Sequence, residues 1–275
     1  MTTVPSTGET TLTILKNVFG GPNGLLKLSE YYTNATGAYT SGVAGIPSIG
    51  NMLTLGHFRG KSKVTQLFAA SYDFRDGASY PGSGNTVNDL SGNGYHLTFN
   101  STPTYNASPP SISMSLLTLN ATRSNVTIPI TNNAYSIELL FRYTTNPGNF
   151  FKLFSYNPVD DGAGPQVQIN SANLVYIWNN GAGWWANTAL QTNKWYHVVF
   201  SSANLVYVNG VAVGTSGGPG TLTTKSAILA LGDSSSLRSI QGNIALARFY
   251  NIALNASQIT TLYTSAKNSN ALYAI

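Results

Sequence analysis

Residues Trp195 to Gly214 read WYHVVFSSANLVYVNGVAVG, and the reading of this stretch decides the fold. Apolar residues alternate up to Asn209-Gly210 and alternate again beyond it. An Asn-Gly pair between two β-branched runs signals a hairpin, because both residues accept the positive φ of a type I′ turn. A strand over Trp195–Phe200 is therefore expected, followed by Leu205–Val208 paired antiparallel with Val211–Val213.

The same period of two recurs outward from the hairpin. Tyr135, Ile137, Leu139, Phe141 and Tyr143 share one face, and Ser136, Glu138 and Arg142 the other, which is the pattern of a half-buried antiparallel strand. Further strands are expected around Leu116, Leu117 and Leu119, around Val126, Ile128 and Ile130, and over Phe150–Tyr156, Pro165–Ile169, Asn173–Trp178, Trp184–Leu190 and Ala227–Gly232. Near the C-terminus, Asn255 and Gln258 form a capping box ahead of Ile259, Leu262 and Tyr263 at helical spacing. The expected fold is all-β: an antiparallel two-sheet jelly-roll sandwich over residues 64–275 with a short C-terminal helix. Residues 1–63, rich in Gly, Ser, Thr and Pro, read as an extended N-terminal segment.

Composition narrows the function classes. Only 8% of the 275 residues are charged, against about 25% in ordinary globular domains. Asn, Ser and Thr must carry the solubility, which suits an extracellular or particle-surface protein. The net charge of +5 is spread thinly. Five basic residues (Lys16, Lys27, Arg59, Lys61, Lys63) face two acids (Glu9, Glu30) in residues 1–63, and no dense basic face for nucleic acid emerges. There is no cysteine, hence no disulfide and no thiolate metal site. The first residues, MTTVPSTGETTLT, carry no secretory signal, and no stretch has the roughly 20 apolar residues of a membrane helix. Together these features fit a virion component assembled inside a cell.

The hairpin residues Trp195–Val199 and Tyr207–Gly210 resemble the central hairpin of laminin-G-like, concanavalin A-like domains. Tyr72–Gly77 and the turn Asp89-Leu-Ser-Gly-Asn-Gly-Tyr-His-Leu97 resemble the opening of such domains, and Gly242–Asn255 resembles their last strand. The resemblance spans about residues 64–266 and implies the lectin-type sandwich, whose members bind, build or catalyse. Members often carry acidic residues early in the last strand, where this chain has Ala245 and Ala247.

A second resemblance concerns the N-terminal segment. Gly20–Tyr32, GGPNGLLKLSEYY, and Gly45–Lys63, GIPSIGNMLTLGHFRGKSK, are similar to N-terminal segments of virion proteins from tailed phages and large double-stranded DNA viruses of algae. Spacing alone reads residues 1–63 as a loosely packed leader. The resemblance implies an attachment arm, anchored through Leu26, Leu28, Tyr31 and Tyr32 and their echo Leu53, Leu55, Phe58 and Arg59.

Candidate chemistry is sparse. Consecutive Trp184 and Trp185 must point to opposite faces of a strand. One fills the core; the other, beside Trp178, Asn179 and Asn180, can stack on a sugar ring while amides bond its hydroxyls. Asp160 and Asp161 in a loop are the first candidates for Ca²⁺, and Asp89 with Asn93 offer a second cation loop or a purely structural turn. A glycosidase needs two carboxylates about 5–10 Å apart, yet the chain has three glutamates, Glu9, Glu30 and Glu138, and no strand of alternating acids. His57, His96 and His197 lack ligand spacing. The expectation is a non-enzymatic virion structural protein, a minor capsid or decoration protein without a cofactor, with capsid subunits and host glycans as partners. A carbohydrate-binding tail-fibre or spike module is the alternative. A polysaccharide hydrolase working through Glu138 or Asp233 is the third.

Overall fold

The computed structural model describes residues 68–269 apart from 115–118, 147, 149, 158–163, 180, 223, 225 and 234–237. The arm over residues 1–63, with Leu26, Leu28, Tyr31, Tyr32, Leu53, Leu55, Phe58 and Arg59, lies outside the described residues, as do Asp160, Asp161 and Asn180. The first strands are β1 (Phe68–Asp73), β2 (Thr86–Val87), β3 (Leu97–Phe99), β4 (Thr104–Ala107), β5 (Pro110–Met114), β6 (Ala121–Thr127), β7 (Ser136–Tyr143), β8 (Phe151–Asn157) and β9 (Gln166–Ile169). They are followed by β10 (Leu174–Asn179), β11 (Ala182–Ala189), β12 (Trp195–Ser201), β13 (Leu205–Val208), β14 (Val211–Ala212), β15 (Thr215–Gly217), β16 (Ser226–Leu231), β17 (Gly242–Tyr250) and helix α1 (Ala256–Ser269).

These strands form two antiparallel sheets. One has the order β14-β13-β12-β7-β17-β5-β4, with β1 also on β17; the other runs β15-β11-β10-β9-β8-β16-β6-β3-β2. Alternation puts Ile137, Leu139 and Phe141 of β7 and Val198 and Phe200 of β12 into one core with Val167, Ile169, Val175, Ile177 and Trp184 of the opposite sheet. Rings bridge the layers: Phe249 of β17 lies 5.4 Å from Tyr156 and 6.3 Å from Phe154, both on β8.

The hairpin forms as its sequence dictates. Val208 pairs with Val211, and Asn209 and Gly210 take φ of 49° and 74°. Gly210 is also tied to the helix, since a Cβ there would run into the Tyr263 ring. The capping box closes as expected, with Asn255 Oδ1 accepting from Gln258 N at 3.0 Å and Gln258 Oε1 accepting from Asn255 N at 2.9 Å. Helix α1 sets Ile259 and Leu262 against Val199, Tyr207, Tyr250 and Leu254 on the outer face of the eight-stranded sheet. This cover corrects one expectation. The polar face of β7 is not solvated, because Ser136 and Glu138 are buried beneath the chain that leads into the helix. No helix among the described residues is long and apolar enough to cross a membrane.

At its start β17 is squeezed between β5 and β7, with Gly242 paired to both Met114 and Tyr143. A Cβ on Gly242 would strike the Arg142 carbonyl oxygen and approach Tyr143 Cα to 2.6 Å. The obstacles are backbone in a central strand, so no rotamer change relieves them. Gly242→Ala is expected to cost about 1–3 kcal/mol, read as a lower urea midpoint at unchanged m-value.

Candidate functional site

The outer face of the nine-stranded sheet carries an aromatic strip built by register. In β10, Val175 and Ile177 point inward, which turns Tyr176 and Trp178 outward; in β11, Trp184 points inward and Trp185 outward. Tyr176 pairs with Trp185, and Trp178 with Gly183. Tyr176 is the hub, its ring 5.8 Å from Trp185, 6.3 Å from Trp178 and 5.5 Å from Phe150. Both indoles are half-buried and Phe150 is 40% exposed. Gly183 makes the strip compact: a Cβ there would come within 2.7 Å of Tyr176 Oη and 3.1 Å of the Trp185 ring.

Polar groups flank the strip on the same face. Trp185 pairs with Ser216, whose hydroxyl donates to Asn187 Oδ1 at 3.0 Å, and Asn187 is exposed. On the other side Tyr176 pairs with Gln168, and Trp178 with Gln166. Gln166 pairs in turn with Ser155, and both Gln166 Nε2 and Ser155 Oγ are buried with no hydrogen-bond partner among the described residues. Lys152 and Asp233 form a buried ion pair at 2.8 Å.

Of the expected sugar contacts, Trp178 and Trp185 are brought together on one face. Trp184 and Asn179 are corrected. Trp184 is fully buried, edge-on to Phe200 at 5.2 Å, because its strand partner Ile177 also faces the core. Asn179 is buried as a brace, donating to Pro219 O at 2.9 Å and Tyr135 Oη at 3.4 Å. Tyr176, Phe150, Asn187 and Ser216 were not anticipated. Tyr176 stands two residues before Trp178, so period two alone puts both on one face.

The Asp89 turn is structural. Its Oδ1 accepts from Ser71 N and Ser91 N, each at 2.9 Å, and its Oδ2 from Ser91 Oγ at 2.6 Å and Tyr95 N at 3.1 Å. Four donors occupy the carboxylate and tie the turn to β1. Among the described residues no group of three His, Asp or Glu lies close enough to hold a metal ion.

A second polar cluster lies beneath α1 on the eight-stranded sheet. Glu138 Oε1 is 2.9 Å from His197 Nε2, while Glu138 Oε2 accepts from Arg248 Nη1 at 3.2 Å and from Tyr250 Oη. Arg248 Nη2 reaches Asp73 Oδ2 at 3.3 Å, and Arg75 holds the same carboxylate at 2.7 Å. Burial alone would push the Glu138 carboxyl up, but Arg248, His197 and Tyr250 outweigh it and hold it down at about 2. Burial pushes Tyr250 well up, reinforced by the Glu138 charge. Glu138 is 1% exposed, so this ionised carboxylate braces the sheet.

Residues 118–260 match the family model of the concanavalin A-like lectin/glucanases superfamily. No curated protein matches the chain. Among solved structures, the Trypanosoma rangeli sialidase in complex with 2,3-difluorosialic acid shares the fold with a TM-score of 0.54 and 15% identity, over 76% of this chain and 34% of the sialidase. This chain thus spans about a third of the length of that enzyme. A mutant of HCR D/C VPI 5995 aligns with a TM-score of 0.52 and 16% identity, over 73% of this chain and 52% of that one. Domain 4 of an extracellular arabinanase from Geobacillus stearothermophilus, in complex with arabinotriose, aligns at 0.48 and 20%, over 71% and 98%. The expectation of a non-enzymatic protein is corrected by the sialidase chains, with which this sandwich shares its fold over about a third of their length. The match over more than half of its length places the chain in the concanavalin A-like lectin/glucanases superfamily.

Proposed function

We propose that the chain is a glycan-binding sandwich that reads sugar on the outer face of its nine-stranded sheet, and that residues 1–63 attach it to a virion. The aromatic strip carries the first part. Trp178 and Trp185, held by Tyr176, offer half-exposed ring faces beside the amide of Asn187 and the hydroxyl of Ser216. The apolar face of a sugar ring stacks on such indoles, while amides and hydroxyls take its peripheral hydroxyls. Membership of a lectin/glucanase superfamily supports the same reading. The virion part is supported by the low charge and by the resemblance of residues 17–63 to virion N-terminal segments.

A glycan array tests the sugar reading. Saturable binding is expected, with Trp185→Ala weakening it about 30-fold, as for a central aromatic anchor worth about 2 kcal/mol. Binding that survives Trp185→Ala and Trp178→Ala at full strength, or no binding at all, would sink it. For the arm, the full chain is compared with one starting at Val64 for rebinding to purified particles. Rebinding by the full chain alone supports attachment through residues 1–63, and equal rebinding refutes it.

A further inference from the structure

On the opposite sheet, a cleft of about 180 Å³ opens among Asn106, Pro109, Ser111, Arg142, Trp195 and Asn243. Its floor follows from register. Trp195 of β12, Arg142 of β7 and Asn243 of β17 are direct cross-strand neighbours, so the three side chains stand in a row on the outer face. The β4–β5 hairpin supplies the far wall, with Asn106 paired to Ser111. Leu140, Trp195, Ala245 and Leu246 form an apolar patch on the same sheet.

The guanidinium in this cleft is incompletely satisfied. Arg142 Nε is buried and has no hydrogen-bond partner among the described residues. A guanidinium N–H withdrawn from water without an acceptor is costly, and a planar carboxylate is the group whose geometry matches the guanidinium fork. Among the described residues, those lining the cleft include no acid that could fill this role. The other walls suit a sugar: one indole as an apolar wall, with the Asn106 and Asn243 amides and the Ser111 hydroxyl as hydroxyl partners. The volume is well below the roughly 300–1,000 Å³ of drug-sized pockets, which limits the occupant to a single ring.

We propose that the Arg142 cleft is a second binding site that takes the carboxylate of one acidic sugar residue. It works independently of the aromatic strip. Arg142 receives the carboxylate, Trp195 packs against the ring, and Asn243 and Asn106 bond its hydroxyls.

The test is an NMR titration of the full chain with D-glucuronate, D-glucose and acetate, following the assigned indole N–H signals of the four tryptophans. Glucuronate is expected to shift the Trp195 signal saturably, with glucose and acetate each at least tenfold weaker. Arg142→Gln should lose at least tenfold in glucuronate affinity at an unchanged melting temperature, in keeping with loss of a charge-assisted hydrogen bond. Equal binding of glucose overturns the role of the charge, and equal binding of acetate reduces the cleft to a bare anion site and overturns the sugar assignment. Wild-type affinity in Arg142→Gln also overturns the proposal. Should that variant fail to fold, the wild-type titration decides alone: a shift confined to Trp178 and Trp185, or none, refutes the site.

Discussion

Glu138→Ala is expected to destabilise the sandwich by about 3–5 kcal/mol, the usual consequence of removing one partner from a buried ionic cluster. For a domain of this size that corresponds to a melting temperature lower by about 6–20 °C. The magnitude follows from what the carboxylate leaves behind. Among the described residues, Arg248, 17% exposed at its side chain, would keep only Asp73 as an ionic partner, and Tyr250 Oη and His197 Nε2 would lose their buried acceptor. Thermal and urea unfolding check it, and a loss below about 1 kcal/mol would contradict the bracing role. The same cluster sets a pH dependence. Glu138 is held at about 2, below its ordinary value of 4.5, so its stabilisation is present above pH 4.5 and is lost as pH falls toward 2. Asp73 adds in the same direction: burial pushes its carboxyl up, and Arg75 and Arg248 more than offset this. Stability measured from pH 6 to pH 2.5 should therefore fall less steeply in Glu138→Gln than in the parent.

The adjacent tryptophans should separate stability from binding. Trp184→Ala is expected to cost about 3–5 kcal/mol, because it empties a large site in the middle of the core where Phe200 and the flanking strands can close only in part. Trp185→Ala removes a half-exposed ring from the outer face, so its effect on stability should stay within about 1 kcal/mol while glycan binding falls. Two neighbouring residues of one type would then have opposite consequences, read by unfolding and by the glycan array on the same two proteins. A stability loss in Trp185→Ala as large as that in Trp184→Ala would show that the strip is buried structure rather than a contact face.

Local rules made much of the fold legible. Asn209-Gly210 specifies its turn through positive φ, Asn255 and Gln258 specify the start of α1, and the alternating apolar residues Ile137, Leu139, Phe141 and Tyr143 of β7 specify which face meets the core. The short strands β2, β3 and β4 escaped notice, since two to four residues carry too little alternation to read. For the site, the sequence placed Trp178 and a Trp184–Trp185 pair on neighbouring strands but could not choose between the two indoles. It also offered Asn179 as a sugar contact, which the structure uses as a buried brace to Pro219 and Tyr135.

By itself, then, the sequence determined strands, turns, the helix cap and the family, because each depends on periods and dihedral preferences that span a few residues. The tertiary structure decided which side chains share a face and which of them are buried. Register between β9, β10 and β11 gathered Tyr176, Trp178 and Trp185 into a strip. Packing on the outer face of the eight-stranded sheet turned Glu138 from the polar face of a half-buried strand into a buried brace with His197 and Arg248. The meeting of β4, β5, β7, β12 and β17 built the Arg142 cleft from residues as far apart as Asn106 and Asn243. The reason is physical: burial and pairing are properties of what packs opposite a side chain, and in an antiparallel sandwich that partner lies many residues away in sequence.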